Sequence, residues 1–230
     1  MLTNIMSVTR KLRRQHVATR QFYTSAERIK LGIENQYGGI PGSLTPSSLE
    51  RIFVALGLVP GRDKMCDIGS GTGVVVLAAA ATGVEAFGFD IDPDAVAGSL
   101  EMARRLQGVL HARVAFFQAD VLAVERLSAT AFYSFTGFPA MTYAASWLAA
   151  SSSGGAESPG VKLAIVVVHP EHLYECGLVH EDDEDVATFA VQMPSGNSYR
   201  AFVVTMTAAR CKRTLATRGR LLGDQDTNGS

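Results

Sequence analysis

The sequence predicts an α/β fold with a mostly parallel sheet, crossover helices and an antiparallel C-terminal hairpin. Three observations lead to this prediction. From residue 45 onward, short apolar runs alternate with stretches of helical periodicity, which is the pattern of strand–helix–strand units. The run 163–168 is apolar without interruption, as in a strand that is buried on both faces. Two alternating segments, 186–193 and 199–207, flank a short turn at 194–197 and predict the hairpin.

The individual elements follow from local signals. The first helix of the alternating region begins after Thr45, whose hydroxyl can cap it, with Pro46 at the first helical position and Gly57 at the end. Strands are predicted at 64–68, 86–92, 114–118, 131–135 and 163–168. Helices are predicted at 74–81, from Pro93 onward and at 141–150. The serine- and glycine-rich stretch 151–155 is typical of a surface loop.

The composition is that of an ordinary globular protein. The chain has 230 residues, of which 47% are apolar and 19% charged, and one domain is expected at this length. Its three cysteines lack paired spacing, which argues against a disulfide framework or a cysteine-based zinc site and indicates a reducing compartment. We find no secretory signal and no run apolar enough for a membrane span. We therefore expect an intracellular protein without a membrane partner, with the nucleus or cytoplasm favoured and the mitochondrion as the alternative.

The net charge is −1, but the charged residues are unevenly distributed along the chain. Residues 1–26 carry five basic side chains and no acid, and residues 210–230 carry five basic side chains and two acids. The remainder holds eleven basic and twenty acidic residues. We divide the chain into a basic N-terminal arm at 1–44, a folded domain at 45–209 and a basic, polar tail at 210–230. The basic ends fit contact with nucleic acid, while a presequence or a solvated tail is the alternative for the first of them.

A glycine-rich turn lies between the first strand and the first following helix. Such a turn lets the backbone approach a ligand closely. The dinucleotide fingerprint Gly-x-Gly-x-x-Gly is not met, because Val74 and Val76 stand where its last glycine would be. Asp67 precedes the first glycine by two residues. A carboxylate there would repel a pyrophosphate and attract the ammonium of a methionine moiety, so Asp67 favours S-adenosylmethionine over a dinucleotide.

Two more acids follow strand ends. Asp90 ends the second strand, where a carboxylate can accept both ribose hydroxyls of an adenosine. Asp120 follows the third strand and could accept from an adenine amino group, with Val121 packing beside the ring. For Asp92, which precedes Pro93, capping of the next helix is the alternative to a cofactor role.

These features resemble the class I, seven-β-strand S-adenosylmethionine-dependent methyltransferases over about residues 45–207. The resemblance rests on Asp67-Ile-Gly-Ser-Gly-Thr-Gly73, on Asp90, on residues 118–121 and on the terminal hairpin. It implies a Rossmann-like three-layer α/β/α sandwich whose seven strands have the order 3-2-1-4-5-7-6, with the seventh antiparallel. It also implies S-adenosyl-L-methionine as cofactor. The cofactor-binding residues expected on this basis are Tyr37, Asp67, Gly69, Ser70, Gly71, Thr72, Gly73, Asp90, Ile91, Asp120 and Val121.

A finer resemblance concerns the acceptor. The order of parts is similar to that of the non-SET histone lysine methyltransferases of the telomeric-silencing-disruptor type. In this comparison Tyr37 and Gly38 belong to a loop of the region 1–44 that closes over the cofactor. Residues 135–138 line a lysine channel, which implies a basic protein substrate such as a histone or nucleosome. Gly39 replaces the family's acid, and Ser134 and Thr136 stand where amides are expected. The catalytic residues expected on this basis are Tyr37, Ser134, Thr136 and Phe138.

The sequence is also consistent with several alternatives. RNA or a small molecule is the alternative acceptor, although the loop after the fourth strand lacks the Asn/Asp-Pro-Pro-aromatic pattern of many base N-methylases. A catalytically silent binding subunit of the same fold is the alternative to an enzyme. No metal site is predicted, because His169, Glu171 and His172 lack the helical zinc spacing. His169, at a strand end, is a candidate general base or substrate contact.

Overall fold

The computed structural model describes residues 1–8, 44–120, 124, 128–135, 148, 160–167, 169–194 and 196–226, with the side chains of the last range described to residue 217. The helices after the helical residues 2–8 are α1 (Pro46–Leu56), α2 (Val74–Ala81), α3 (Pro93–Leu106), a 3₁₀ turn (Gln107–Val109), α4 (Glu171–Glu175) and α5 (Ala208–Asp226). The strands are β1 (Lys64–Ile68), β2 (Glu85–Asp90), β3 (Val114–Gln118), β4 (Ala131–Ser134), β5 (Lys162–Val167), β6 (Ala187–Gln192) and β7 (Ser198–Thr205).

One seven-stranded sheet organises the chain. Its strand order is β3-β2-β1-β4-β5-β7-β6. The first five strands are parallel, and β7 is antiparallel to both β5 and β6. The predicted fold class, the strand order and the inserted hairpin strand are therefore confirmed. The carboxyl ends of β1, β2, β3, β4 and β5 all lie at one edge of the sheet. The predicted helix at 141–150 lies outside the described residues except for Leu148, which is helical.

Two apolar layers cover the two faces of the sheet. Met65 and Tyr133 belong to one buried cluster, whereas their neighbours Cys66 and Phe132 belong to the other, as the alternation of side chains along a strand requires. The first cluster includes α2, whose eight residues are all buried. Small and β-branched side chains allow this helix to lie close against the sheet. In the described part of the chain, no helix is long and apolar enough to cross a membrane.

The first eight residues pack against this core, whereas we expected residues 1–44 to form an arm. Ile5 and Val8 are completely buried, and their spacing of three places them on the same side of the helical turn at 2–8. The side-chain amide of Asn4 donates to the carbonyl of Ala81 at 2.9 Å, which satisfies a group at the end of α2. Residues 9–43, the rest of the expected arm, lie outside the described residues.

The C-terminal region contains a helix, α5, where we expected a polar tail. Its Arg210 is only 1% exposed and pairs with Asp185 at 2.6 Å and with Asp183 at 3.1 Å. Arg213 pairs with Asp183 at 2.7 Å. Two of the basic residues counted in the tail are therefore neutralised by the acidic run before β6. Sequence periodicity does not reveal these ion pairs, because their partners lie about 25 to 30 residues earlier in the chain. Cys211 of the same helix belongs to the second buried cluster, and Leu215 packs against it.

Candidate functional site

The glycine loop connects β1 to α2 at the carboxyl edge of the sheet. Gly69, Gly71 and Gly73 have φ values of 75°, 49° and 73°, a region in which side chains are strained and glycine is not. At Gly73 the space is also filled, since a Cβ would lie 2.6 Å from the Phe116 ring and 2.9 Å from the Ser99 hydroxyl. Glycine is therefore required at this position both by the backbone and by packing.

Neighbouring elements hold the loop in place. The backbone N–H groups of Gly69 and Ser70 both donate to the carbonyl of Phe89 at 2.9 Å. The Ser99 hydroxyl of α3 donates to the carbonyl of Gly71 at 2.9 Å. Ser99 was not among the predicted residues. It could have been noticed as a polar residue on the buried side of α3, where Val96 is also buried.

Asp90 links the glycine loop to the turn after β2. One carboxylate oxygen accepts the N–H of Gly71 at 2.7 Å, and the other accepts the N–H of Asp92 at 2.9 Å. Asp92 in turn caps α3, accepting the N–H groups of Asp94 at 2.9 Å and Ala95 at 3.3 Å. The Asp90 carboxylate is therefore in direct contact with the glycine loop. Asp92 has the helix-capping role that was the alternative to cofactor binding.

Asp67 is a buried acid at the end of β1. It is 2% exposed and lies opposite Gly88 of β2 and Tyr133 of β4 in the sheet register. Its Oδ1 atom is buried without a hydrogen-bond partner among the described residues. Burial, together with the charge of Asp90, raises the pKa of the Asp67 carboxyl well above its ordinary value. Burial and the Asp67 charge likewise raise the pKa of the Tyr133 hydroxyl.

This arrangement favours a positively charged group close to Asp67. An unpartnered buried carboxyl oxygen costs free energy until a donor reaches it. A second acid nearby increases the advantage of a cation over a neutral donor. The hydroxyl of Ser70 is also buried without a partner in the described part of the chain. No group of three His, Cys, Asp or Glu side chains that could hold a metal ion occurs among the described residues.

The predicted cofactor residues fall into two groups. The structure brings one group to the same edge of the sheet: Asp67, Gly69, Ser70, Gly71, Thr72, Gly73, Asp90, Ile91 and Asp120. Asp120 belongs there because Gln118 is paired with Asp90 at the neighbouring strand end. The other group, Tyr37 and Val121, lies outside the described residues.

Of the residues predicted on the acceptor side, Ser134 and Phe135 lie within the described part of the chain. Ser134 is completely buried at the end of β4, and its hydroxyl donates to the carbonyl of Ile68 at 3.3 Å. Phe135 is buried and meets the ring of Tyr199 edge-on, with centroids 5.2 Å apart. Its ring therefore packs in the core next to β7, whereas we expected it to line a channel. Thr136 and Phe138 lie outside the described residues.

Comparison with known proteins yields structural likeness only. No family model and no curated protein sequence matches this chain. Among solved structures, TrmN from Thermus thermophilus aligns over 71% of this chain with 19% identity and a TM-score of 0.53, and the chain spans only about half, 49%, of that protein. An RNA methyltransferase from Salinibacter ruber, crystallised with S-adenosyl-L-homocysteine, aligns over 73% of this chain and 94% of its own, with 22% identity and a TM-score of 0.52.

A third similar structure is tRNA (m1A58) methyltransferase TrmI from Aquifex aeolicus. It aligns over 81% of this chain and 78% of its own, with 13% identity and a TM-score of 0.54. Identities this low are evidence about fold and not about substrate. Together with the strand order and the glycine loop, they show that the chain has the Rossmann-like fold of the class I, seven-β-strand S-adenosylmethionine-dependent methyltransferases.

Proposed function

We propose that this protein is an S-adenosylmethionine-dependent methyltransferase whose acceptor is RNA. The observation that carries the cofactor part of the proposal is the buried Oδ1 atom of Asp67, which has no partner among the described residues and lies beside the glycine loop. The ammonium of a methionine moiety is the kind of donor that such an atom lacks. A dinucleotide would bring a pyrophosphate instead, which two nearby acids would repel.

The residues at this edge of the sheet fit the whole cofactor. Asp67 would receive the ammonium, Asp90 the ribose hydroxyls, and Asp120 the adenine amino group. The bound cofactor supplies an electrophilic methyl group on a sulfonium. The chain contributes binding and orientation, because transfer from a sulfonium needs mainly the correct alignment of donor and acceptor and a site from which water is excluded. The hydrogen bonds between the loop and Phe89, Asp90 and Ser99 hold the loop in one conformation without the cofactor.

RNA as the acceptor is supported by two features. The solved structures with this fold include several RNA and tRNA methyltransferases. The segment 1–26 carries five basic residues and no acid, which suits contact with phosphates. The comparisons do not support the lysine acceptor implied by the finer resemblance, and the Phe135 ring packs in the core. Small molecules and a silent binding subunit are the alternatives that the experiment must separate.

Calorimetric titration with S-adenosylmethionine tests the cofactor part. We expect binding by the wild type and at least tenfold weaker binding by Asp67→Asn, since a charge-assisted bond is worth about 1.5–3 kcal/mol. The matched control is Asp182→Asn, which makes the same chemical change at a side chain that is 92% exposed and should bind like the wild type. Absence of binding by the folded wild type would refute the enzyme and favour the silent subunit.

Transfer of label from radioactive cofactor tests the acceptor. The protein is incubated separately with total RNA, with total protein including core histones, and with a metabolite extract. We expect label in RNA. Label confined to protein would restore the lysine interpretation, and label confined to small molecules would replace RNA with the small-molecule alternative. Transfer to RNA should also weaken with salt, because phosphate contacts release counterions.

A further inference from the structure

We propose that His169, oriented by Glu171, is the general base that removes a proton from the methyl acceptor. This inference rests on the proposed methyltransferase function and adds the residue that handles the proton. The fold family does not require such a base, because many acceptors attack with a free lone pair. A base is needed where the attacking oxygen or nitrogen carries a proton that must leave as the new bond forms.

The sheet topology places His169 close to the candidate cofactor site. β5 is parallel to β4, and β4 is parallel to β1, so the carboxyl ends of all three strands lie at the same edge. β5 ends at Val167, two residues before His169. Adjacent strands are about 4.8 Å apart, so the ends of β1 and β5 are separated by about 10 Å. A methyl donor lying over β1 and β4 leaves room for an acceptor between itself and His169.

The contacts of His169 determine which ring nitrogen can accept a proton. Its Nδ1 lies 3.1 Å from Oε1 of Glu171. Bonds from its own backbone N–H and from His169 lower the pKa of the Glu171 carboxyl, so this group is a carboxylate at neutral pH and can only accept a hydrogen bond. Nδ1 must then carry the hydrogen, which leaves the lone pair on Nε2. Base and orienting acid are thus related as in a histidine–carboxylate pair of general-base catalysis.

The surroundings of His169 suit an acceptor that enters from solvent. Its side chain is 60% exposed, so neither an RNA base nor a ribose hydroxyl is excluded from it. The imidazole of His172 lies nearby, with ring centroids 5.3 Å apart. Among the described residues, Glu171 and His172 are titratable groups in contact with His169, and both follow it in the turn into α4.

The proposed step moves one proton and one methyl group. The acceptor O–H or N–H gives its proton to Nε2 of His169 while its electron pair forms the bond to the methyl carbon. The sulfur–carbon bond breaks, its electron pair stays on sulfur, and the sulfonium becomes a neutral thioether. His169 is left as an imidazolium beside the Glu171 carboxylate. It then releases the proton to solvent, to which it is open.

The test compares methyl transfer to RNA by the wild type, His169→Asn, Glu171→Gln and the control His111→Asn, over pH 5–9. His111 is an exposed histidine before β3, at the opposite edge of the sheet. We expect His169→Asn to lower kcat at least 100-fold, to remove the acidic limb of the pH profile and to leave the Kd of S-adenosylmethionine unchanged. Added imidazole should restore part of the activity, because the site is open to solvent.

Glu171 is a positioning residue, and its variant distinguishes that role from a structural one. Glu171→Gln should lower kcat about tenfold and shift the acidic limb of the pH profile, and it should have no further effect in the His169→Asn background. Wild-type kcat and an unchanged pH profile in His169→Asn would overturn the inference while leaving the proposed function intact. A wild type that binds the cofactor but transfers no methyl group to any acceptor would overturn both.

Discussion

Replacing Asp67 by asparagine should stabilise the folded protein while it weakens cofactor binding. The carboxyl is 2% exposed, and its Oδ1 has no partner in the described part of the chain. Burial raises the pKa of this carboxyl, so its ionised form is the costly one in the folded state, by about 1.4 kcal/mol for each pH unit between the ordinary and the raised pKa. Asparagine has nearly the same shape and cannot ionise. We therefore expect Asp67→Asn to raise the free energy of unfolding at pH 7 by about 1–3 kcal/mol, through the removal of this ionisation cost.

The pH dependence of this effect has a definite sign. Burial raises the pKa of Asp67 in the folded state, so above about pH 4 the folded protein retains a proton that the unfolded chain has lost. The free energy of unfolding then falls as the pH rises, by up to about 1.4 kcal/mol per pH unit, until the pH reaches the pKa of the folded state. Below about pH 4 the carboxyl is protonated in both states. The advantage of Asp67→Asn should therefore be small near pH 3 and grow toward pH 7.

Urea denaturation at several pH values measures the stability effect, and calorimetry in buffers of different ionisation enthalpy measures the protons released on cofactor binding. The wild type should release a proton as a cation reaches Asp67, and Asp67→Asn should release none. An asparagine variant that is less stable than the wild type at pH 7 would refute the reasoning. So would a variant with the wild-type affinity for S-adenosylmethionine.

Three further predictions concern the loop and the two chain ends. Gly73→Ala should lower the free energy of unfolding by about 2–4 kcal/mol through backbone strain and overpacking. The control is Gly98→Ala in α3, where an added Cβ would have no atom within 4 Å; this variant should raise the free energy of unfolding by about 0.5–1 kcal/mol. Urea denaturation compares the two variants. Arg210→Ala should cost about 2–3 kcal/mol at pH 7, because it leaves Asp185 without its arginine partner while Asp183 keeps Arg213; this is less than for a fully buried pair. The cost should shrink below pH 4, because the hydrogen bond from Arg210 holds the pKa of the Asp185 carboxyl low; the same cost at pH 3 would contradict this. Ile5→Ala should cost about 2–4 kcal/mol, and an unchanged urea midpoint would show that residues 2–8 do not pack as described.

Local patterns predicted the helices and strands closest to the glycine loop. β1 and β3 have the predicted bounds, and α1 begins after its predicted cap at Thr45 and ends before Gly57. The other strands differ by one or two residues at an end. Caps, glycines and alternation are properties of neighbouring residues, so they can be recognised without knowing the rest of the fold. The edge at which Asp67 and Asp90 meet also follows, because parallel strands bring their carboxyl ends together.

Local patterns did not predict the contacts between residues that are distant in the sequence. Arg210 of the helix at 208–226 pairs with Asp183 and Asp185, and in the sequence these residues belong only to basic and acidic runs. Asn4 and Ile5 belong to the core because α2 offers them a free carbonyl and an apolar surface, neither of which is visible in residues 1–8. Two of the five basic residues counted in the tail are therefore paired with acids of the same chain.

The sequence by itself determined the fold class, the glycine loop and the acids at its strand ends, because all of these depend on local spacing. Only the tertiary structure decided that Asp67 is buried with an unpartnered oxygen, that Tyr133 lies opposite it, and that Phe135 packs on Tyr199. Whether a polar side chain is hydrated, paired or desolvated depends on the atoms that other segments bring around it. That environment decides its pKa and its chemistry, and no spacing along the chain encodes it.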